Sequence, residues 1–309
     1  MGAENSDNRV NENGKGGKRK KRHDQNETEP AAQQQPSKKR NRKEIAIFGN
    51  YRHYYGYRVG QDLDEDPRLN VMKREWFEGK DCLDIGCNSG LVTISIVYRS
   101  CTAKKFGCQS IVGVDIDGAR VEDANWTLRK IIRTNTLKVT SKTPGIANVE
   151  PVHGLQNSTT KSVDENTRDS SHLPKKDLQK IVSFEKGNFV LNWHPPANKF
   201  YHAILCLSVT KWIHLNWGDD GIIKLFAKVW TLLQPGGVFI VEPQPWTSYY
   251  KNRLVSETTA ANYRNIQIPP EDFQDILLDK IGFRTVENIT SSLSGSKSGF
   301  ERPILAFWK

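Results

Sequence analysis

Three groups of residues in this 309-residue chain have the types and spacing for chemistry. The first is Asp81–Gly90, DCLDIGCNSG, in which Cys82, Leu83 and Ile85 read as a short buried strand. The Gly86–Gly90 turn then opens onto LVTISIV, apolar enough for a helix or a second strand. A strand, a glycine-rich turn and a helix start form a nucleotide cradle: glycines allow close backbone approach, and free amides at a helix N-terminus favour polar or anionic groups. The second is Asp115, which ends QSIVGVD 29 residues beyond Gly86. A carboxylate at the tip of the neighbouring strand is placed to accept both ribose hydroxyls of an adenosine. The third is Lys211 in LSVTKWIHLNWGD, expected at the mouth of the same cleft with Trp212, His214 and Trp217 nearby. A lysine that deprotonates a weak acceptor needs a depressed pKa, whereas one that clamps an ionised oxygen needs only its charge. His214 could act as a general base, but a histidine between apolar neighbours is more often structural.

These groups converge only if strand ends lie side by side. Beyond Asp115, Asp117–Arg133 carries Val121, Ala124, Leu128 and Ile131 at helical spacing, and 134–180 then loses periodicity and reads as a polar, flexible insertion. Strands follow at Ile181–Gly187, His202–Val209 and Val238–Glu242, with a helix over Asp219–Leu233 stopped by Pro235 and two glycines. HAILCLSV is almost continuously apolar, as expected of a central parallel strand buried on both faces. A helix over Glu271–Ile281 precedes two strands with no helix between them, Phe283–Ile289 and Pro303–Lys309, hence an antiparallel closing pair. The expected fold is α/β: a seven-stranded, mostly parallel sheet with a C-terminal antiparallel hairpin and helices on both faces. The strands' carboxyl ends, carrying Gly86, Asp115, Asn188 and Leu207, are where such a sheet binds its ligand.

The loop narrows the nucleotide. A P-loop requires GxxxxGK followed by Ser or Thr, which the residues after Gly86 do not supply. A dinucleotide fold prefers GxGxxG, and Asn88 stands at its second glycine, where a pyrophosphate needs space. The pattern D-x-G-x-N-x-G instead resembles motif I of the class I S-adenosylmethionine-dependent methyltransferases. The Asn/Asp-Pro-Pro-aromatic turn common after strand four in base N-methyltransferases is replaced here by LSVTKWIHLNWGD, which disfavours base methylation.

Composition sets the outer limits. Residues 1–43 hold 12 Lys/Arg and 6 Asp/Glu, so this stretch carries +6 of the net +10 and has almost nothing apolar to offset ordering. It reads as a disordered basic tail, and its KRKKR and KKRNRK clusters suit nuclear import or phosphate-backbone binding. Residues 44–309 read as one catalytic domain. Its first stretch, FGNYRHYYGYR, alternates aromatic rings with cations, as an RNA end or a cofactor with a phosphate chain requires. The five cysteines form no CxxC pair and lack finger-spaced histidines, so reduced thiols and no metal are expected. No apolar run approaches the roughly 18 residues of a membrane span, and the polar N-terminus gives no sign of a secretory signal.

FGNYRHYYGYR, DPRLNVMKREWFEGKDCLDIGCNSG, IVGVDID, LCLSVTKWIHLNWGDDG, PGGVFIVEPQPW and SKSGFERPILAFWK together resemble the Bin3-type RNA methyltransferases, in particular their 7SK snRNA methylphosphate-capping branch. The resemblance implies methyl transfer from S-adenosylmethionine to the γ-phosphate at the 5′ end of a small polymerase III RNA. It also implies a nuclear setting and an RNA–protein complex with a La-related protein; a monomer is the default expectation. By motif, Tyr55, Arg68, Gly86, Cys87, Asn88, Asp115, Ile116, Asn188 and Leu207 would line the cofactor pocket, and Tyr54 and Lys211 would face the 5′ phosphates. Phe189 stands where the family usually has tyrosine, and Arg74 replaces a proline before EWF. Three alternatives compete: an RNA-binding scaffold that retains its cofactor product and protects the RNA end, a methyltransferase of 5′-monophosphate tRNA or microRNA precursors, and a small-molecule O-methyltransferase.

Overall fold

Short apolar runs separated by glycine turns fold into one twisted sheet. The structure is a computed structural model and describes residues 46–52, 54–55, 66–97, 106–140, 175–290 and 302–309. The strands are β1 (Asp81–Ile85), β2 (Ser110–Asp115), β3 (Val182–Lys186), β4 (Tyr201–Leu207), β5 (Leu233–Glu242), β6 (Thr285–Asn288) and β7 (Leu305–Trp308). Their order in the sheet is β3-β2-β1-β4-β5-β7-β6. The first five run parallel, and β7 inserts antiparallel between β5 and β6. This is the expected Rossmann-like sheet, with the expected C-terminal hairpin. The chain order reverses between β1 and β4, and the loops at the carboxyl ends of these two strands open a crevice there.

The helices are α1 (Leu91–Val97), α2 (Gly118–Thr140), α3 (Lys175–Ile181), α4 (Thr210–Leu232), α5 (Trp246–Asn252) and α6 (Glu257–Asn265), and shorter helical turns cover 270–281. The period of two along each strand divides the core. Cys82, Ile111, Ala203, Leu205 and Ile240 pack with α1, while Leu83, Val114, Ile204, Cys206 and Phe239 pack with α4. β4 is buried along its length except at half-buried His202, which explains its unbroken apolar run.

Several sequence expectations need correction. The helix expected to end at Arg133 continues to Thr140, and Lys175–Ile181 is helical, so both ends of the expected 134–180 loop are ordered helix. The rest of that insertion lies outside the described residues, as do the tail at 1–43 and Cys101. α4 begins at Thr210 rather than Asp219; Gly218 (φ 63°, ψ −164°) breaks it in the middle, and the polar residues around that break read as a loop. β5 extends back through Pro235 to Leu233. α5 and α6 were not anticipated: both are short and rich in polar residues, and α6 is set by a capping box in which the Ser256 hydroxyl accepts from the Thr259 amide. Cys82, Cys87, Cys108 and Cys206 are buried free thiols, as expected. No helix among the described residues is long and apolar enough to cross a membrane.

Gly90 joins the loop to α1 at φ +74°, where a β-carbon would lie 2.5 Å from Phe184 and 2.9 Å from Ala124. Ala124 is fully buried and Phe184 is partly buried against the core. Gly90→Ala should therefore cost about 1–3 kcal/mol through overpacking and left-handed strain. Urea unfolding measures this directly, and an unchanged midpoint would contradict it.

Candidate active site

The glycine loop is fixed from below by the sheet. The amides of Gly86 (2.7 Å) and Cys87 (3.2 Å) donate to the Val114 carbonyl, so the chain folds over the end of β2. Gly86 has φ +74°, and a β-carbon there would sit 2.3 Å from Val209. Asn88 also takes a left-handed conformation (φ 50°), which asparagine tolerates better than most residues. Its side chain adds a function that glycine lacks. Asn88 Nδ2 donates to the Tyr51 carbonyl (3.3 Å), and its Oδ1 accepts from Ser89 N (2.8 Å).

Asp115 lies across the crevice, 7% exposed. Its carboxylate accepts from the amides of Asn88 (2.9 Å) and Asp117 (2.9 Å), which orients both oxygens, while burial raises its pKa. Asp84, at the end of β1, is pushed up to about 6 by burial although Thr93 donates to it. The cleft encloses about 860 Å3 of space, its open mouth included.

A roof covers the cleft. Phe48 stacks on Trp217 (5.8 Å), Tyr51 meets Trp212 edge-on (5.8 Å), and Gly49 (φ +71°) lies so close to Trp212 that a β-carbon would be 2.0 Å from the indole nitrogen. Three asparagines fasten this segment: Asn50 Nδ2 donates to Asp117, Asn88 to the Tyr51 carbonyl, and Asn216 Nδ2 to the Ile47 carbonyl (3.1 Å).

At the opposite end Arg68, 1% exposed, is enclosed by carboxylates. Its Nε (3.0 Å) and Nη2 (2.7 Å) donate to Asp66, and Nη1 donates to Glu242 (2.9 Å). Glu242 also accepts from the Ser208 hydroxyl. Ser208 follows β4 at φ 63° and is held there by the Gln244 side chain on its carbonyl and by Arg302 Nη1 on its hydroxyl (3.1 Å). Such strain at a strand's carboxyl end persists only where several contacts fix it.

Lys211 follows in the first turn of α4. Its ammonium donates to Ser248 Oγ (3.0 Å) and Asn252 Oδ1 (2.7 Å), both on α5, and lies 4.3 Å from the centre of the Trp212 ring. Burial, with a smaller contribution from the Arg302 charge, pulls its pKa down to about 7.

A profile of the family described as Bicoid-interacting protein 3 (Bin3) matches residues 201–309. The "Probable RNA methyltransferase" of Arabidopsis thaliana is 60% identical over 273 residues, 88% of this chain and 83% of that one. The chain belongs to the Bin3 family. The 7SK snRNA methylphosphate capping enzyme of Homo sapiens is 37% identical over 284 residues, 85% of this chain but only 39% of that longer protein. The U6 snRNA methylphosphate capping enzyme Amus of Drosophila melanogaster is 34% identical over 265 residues, 85% of this chain and 74% of that one.

Of the residues that the Bin3 motifs point to, Tyr54, Tyr55, Arg68, Gly86, Asn88, Asp115, Ile116, Asn188 and Leu207 all line the cleft. Two do not. Cys87 is buried behind the loop with its thiol on the Asn88 carbonyl (3.8 Å), because the backbone of the turn, rather than this side chain, faces the ligand space. Lys211 does not itself line the cleft: its ammonium, held by Ser248 and Asn252 of α5, lies beside it, and its neighbours Ser208, Val209 and Trp212 form the lining. The Asn188 side-chain oxygen is taken by the amides of Val190 and Leu191, which leaves its Nδ2 for a ligand. Phe189 lines the cleft and stacks on Trp193 (5.4 Å). His214 is structural: fully buried, it joins Asp219 (2.7 Å) to Tyr249 (3.3 Å) across the Gly218 break. Sequence reasoning missed Asn50, Ser208, Glu242, Gln244, Ser248, Asn252 and Arg302. The signal for Asn50, Ser208, Glu242, Gln244 and Arg302 was membership of the FGNY, LSVTKW, EPQPW and ERP stretches, and Ser248 and Asn252 carried none.

Arg68→Met would leave Asp66 and Glu242 buried without their cation. A loss of about 3–5 kcal/mol in urea unfolding is expected. A loss below about 1 kcal/mol would mean that the two carboxyls share a proton there at little cost.

Proposed function

We propose that this Bin3 protein methylates the 5′-terminal phosphate of small nuclear RNA, using S-adenosylmethionine as methyl donor. The carrying observation is Lys211: a buried ammonium beside the cleft, hydrogen-bonded to two neutral oxygens and to no carboxylate among the described residues. Such a cation suits an acceptor that brings its own negative charge. Similarity to capping enzymes of 7SK and U6 snRNA supports the terminal phosphate of a polymerase III transcript as that acceptor.

The residues fit the cofactor. Asp115, with both oxygens oriented by backbone amides, would take the ribose hydroxyls, Ile116 and Phe189 would flank the adenine, and Asn188 Nδ2 would reach its edge. Arg68 keeps donors beyond those given to Asp66 and Glu242 and would meet the methionine carboxylate, with Tyr54 and Tyr55 closing that end. S-adenosylmethionine supplies a methyl group on a sulfonium, a carbon open to in-line attack without prior activation. The protein's task is therefore positioning. Lys211 would hold a phosphate oxygen that is already ionised at neutral pH, so no general base is required and buried His214 takes no part. The Phe48, Tyr51 and Trp212 rings would keep water from the reacting atoms.

The proposal extends to a nuclear, monomeric enzyme working in a particle with a La-related protein. The two basic clusters support nuclear entry, and the resemblance to the capping branch supports the particle.

With labelled cofactor and 5′-triphosphate, 5′-monophosphate and 5′-hydroxyl RNAs, mass spectrometry of the product should place the methyl on a terminal phosphate oxygen. Lys211→Ala should lower that transfer about 100-fold or more. Methyl found on a base or ribose, or transfer unaffected by the substitution, would sink the reading.

A further inference from the structure

The surface read as the adenine wall stands at the edge of the sheet. Asn188 and Phe189 line the cleft from the turn that follows β3, and β3 has a neighbouring strand on one side only. The turn closes partly on itself. Its Asn188 carbonyl accepts from the amides of Leu191 (3.2 Å), Asn192 (3.0 Å) and Trp193 (2.9 Å). Trp193 then supports the wall. Its indole nitrogen donates to Glu185 on β3 (2.7 Å), Phe189 stacks on its ring (5.4 Å), and it passes so near Gly187 that a β-carbon there would lie 2.7 Å from the indole.

The Phe189 and Trp193 carbonyls go to a single side chain. Lys228, half-buried near the end of α4, donates from its ammonium to both, at 2.7 Å for Phe189. The same ammonium lies 4.8 Å from the centre of the Phe189 ring and 5.7 Å from that of Trp193. One cation therefore joins both carbonyls and both rings of the turn to a helix. Hydrogen bonds from a charged donor are roughly twice as strong as neutral ones, and the ring contacts add to them.

We propose that Lys228 is a positioning residue for the cofactor, which fixes the Phe189–Trp193 turn against α4 and so holds the Phe189 ring in place as the adenine wall before the cofactor arrives. The proposal rests on the cofactor placement given above and is independent of the methyl acceptor. Lys228 does not itself line the cleft, so it acts through Phe189. Without the ammonium both carbonyls turn to water, the turn loosens, and the cost of ordering it moves to the binding step.

The test is calorimetry of S-adenosylhomocysteine binding to the full-length protein, with urea unfolding alongside. Lys228→Met, which keeps the apolar stem, should weaken binding about tenfold. Lys228→Arg, which restores a cationic donor, should recover most of that loss. Phe189→Leu removes the ring and should weaken binding on its own. Adding Lys228→Met to it should then cost less than about threefold more, because residues that act through one contact are not additive. A lysine that served stability alone would lower the urea midpoint and leave the affinity of the folded protein unchanged, and that result overturns the proposal. Full additivity with Phe189→Leu overturns it too. If Phe189→Leu binds as the wild type does, the cofactor placement fails as well, and the two failures are distinguishable.

Discussion

A guanidinium buried between two carboxylates holds the site together. Arg68 is drawn from one side by Asp66, two residues before it, and from the other by Glu242, at the end of β5. Charges this deep are tolerated only when paired and hydrogen-bonded, so the N-terminal stretch cannot detach from the sheet without leaving carboxylates in an apolar interior. Glu242 is shared with Ser208, which sets the left-handed end of β4 and so the direction in which α4 departs. Gln244 repeats the tie one turn on, accepting from Thr210 Oγ1 (3.0 Å) and Lys211 N (3.1 Å). The EPQPW and LSVTKW stretches are therefore two strands of one joint.

That joint divides the work. The β1 and β2 ends, with Gly86, Asn88 and Asp115, form the side on which an adenosine would rest. The β4 and β5 ends, with Ser208, Lys211 and the α5 residues, form the side that an anion would approach. Each loop depends on the parallel register beneath it, which places Asp84 beside Leu205 and Gly113 in neighbouring strands.

What was legible in the sequence was local. The succession of strands along the chain and the closing hairpin followed from apolar runs and glycine turns, and Asp115 followed from its place at the tip of a strand beside the loop. Three things were not legible. The start of α4 was obscured because a glycine break inside a helix looks like the loop before one. Ser208 gave no sign of its left-handed backbone, which tertiary contacts impose. The partners of Lys211 lie 37 and 41 positions away on a short polar helix that no periodicity marks, so the lysine's direction could not be read from its own neighbourhood.

The roof adds a consequence for the order of events. Residues 46–52 are fastened to both halves at once, to Asn88 and Asp117 on one side and to Trp212, Asn216 and Asn252 on the other. A cofactor lodged beneath them would lie under a segment that is tied to both halves. Anything bound on the acceptor side that steadies Trp212 or Asn252 would therefore also steady the roof over the cofactor side. On the methylation reading, the same few hydrogen bonds would then bear on both turnover and the grip on the substrate.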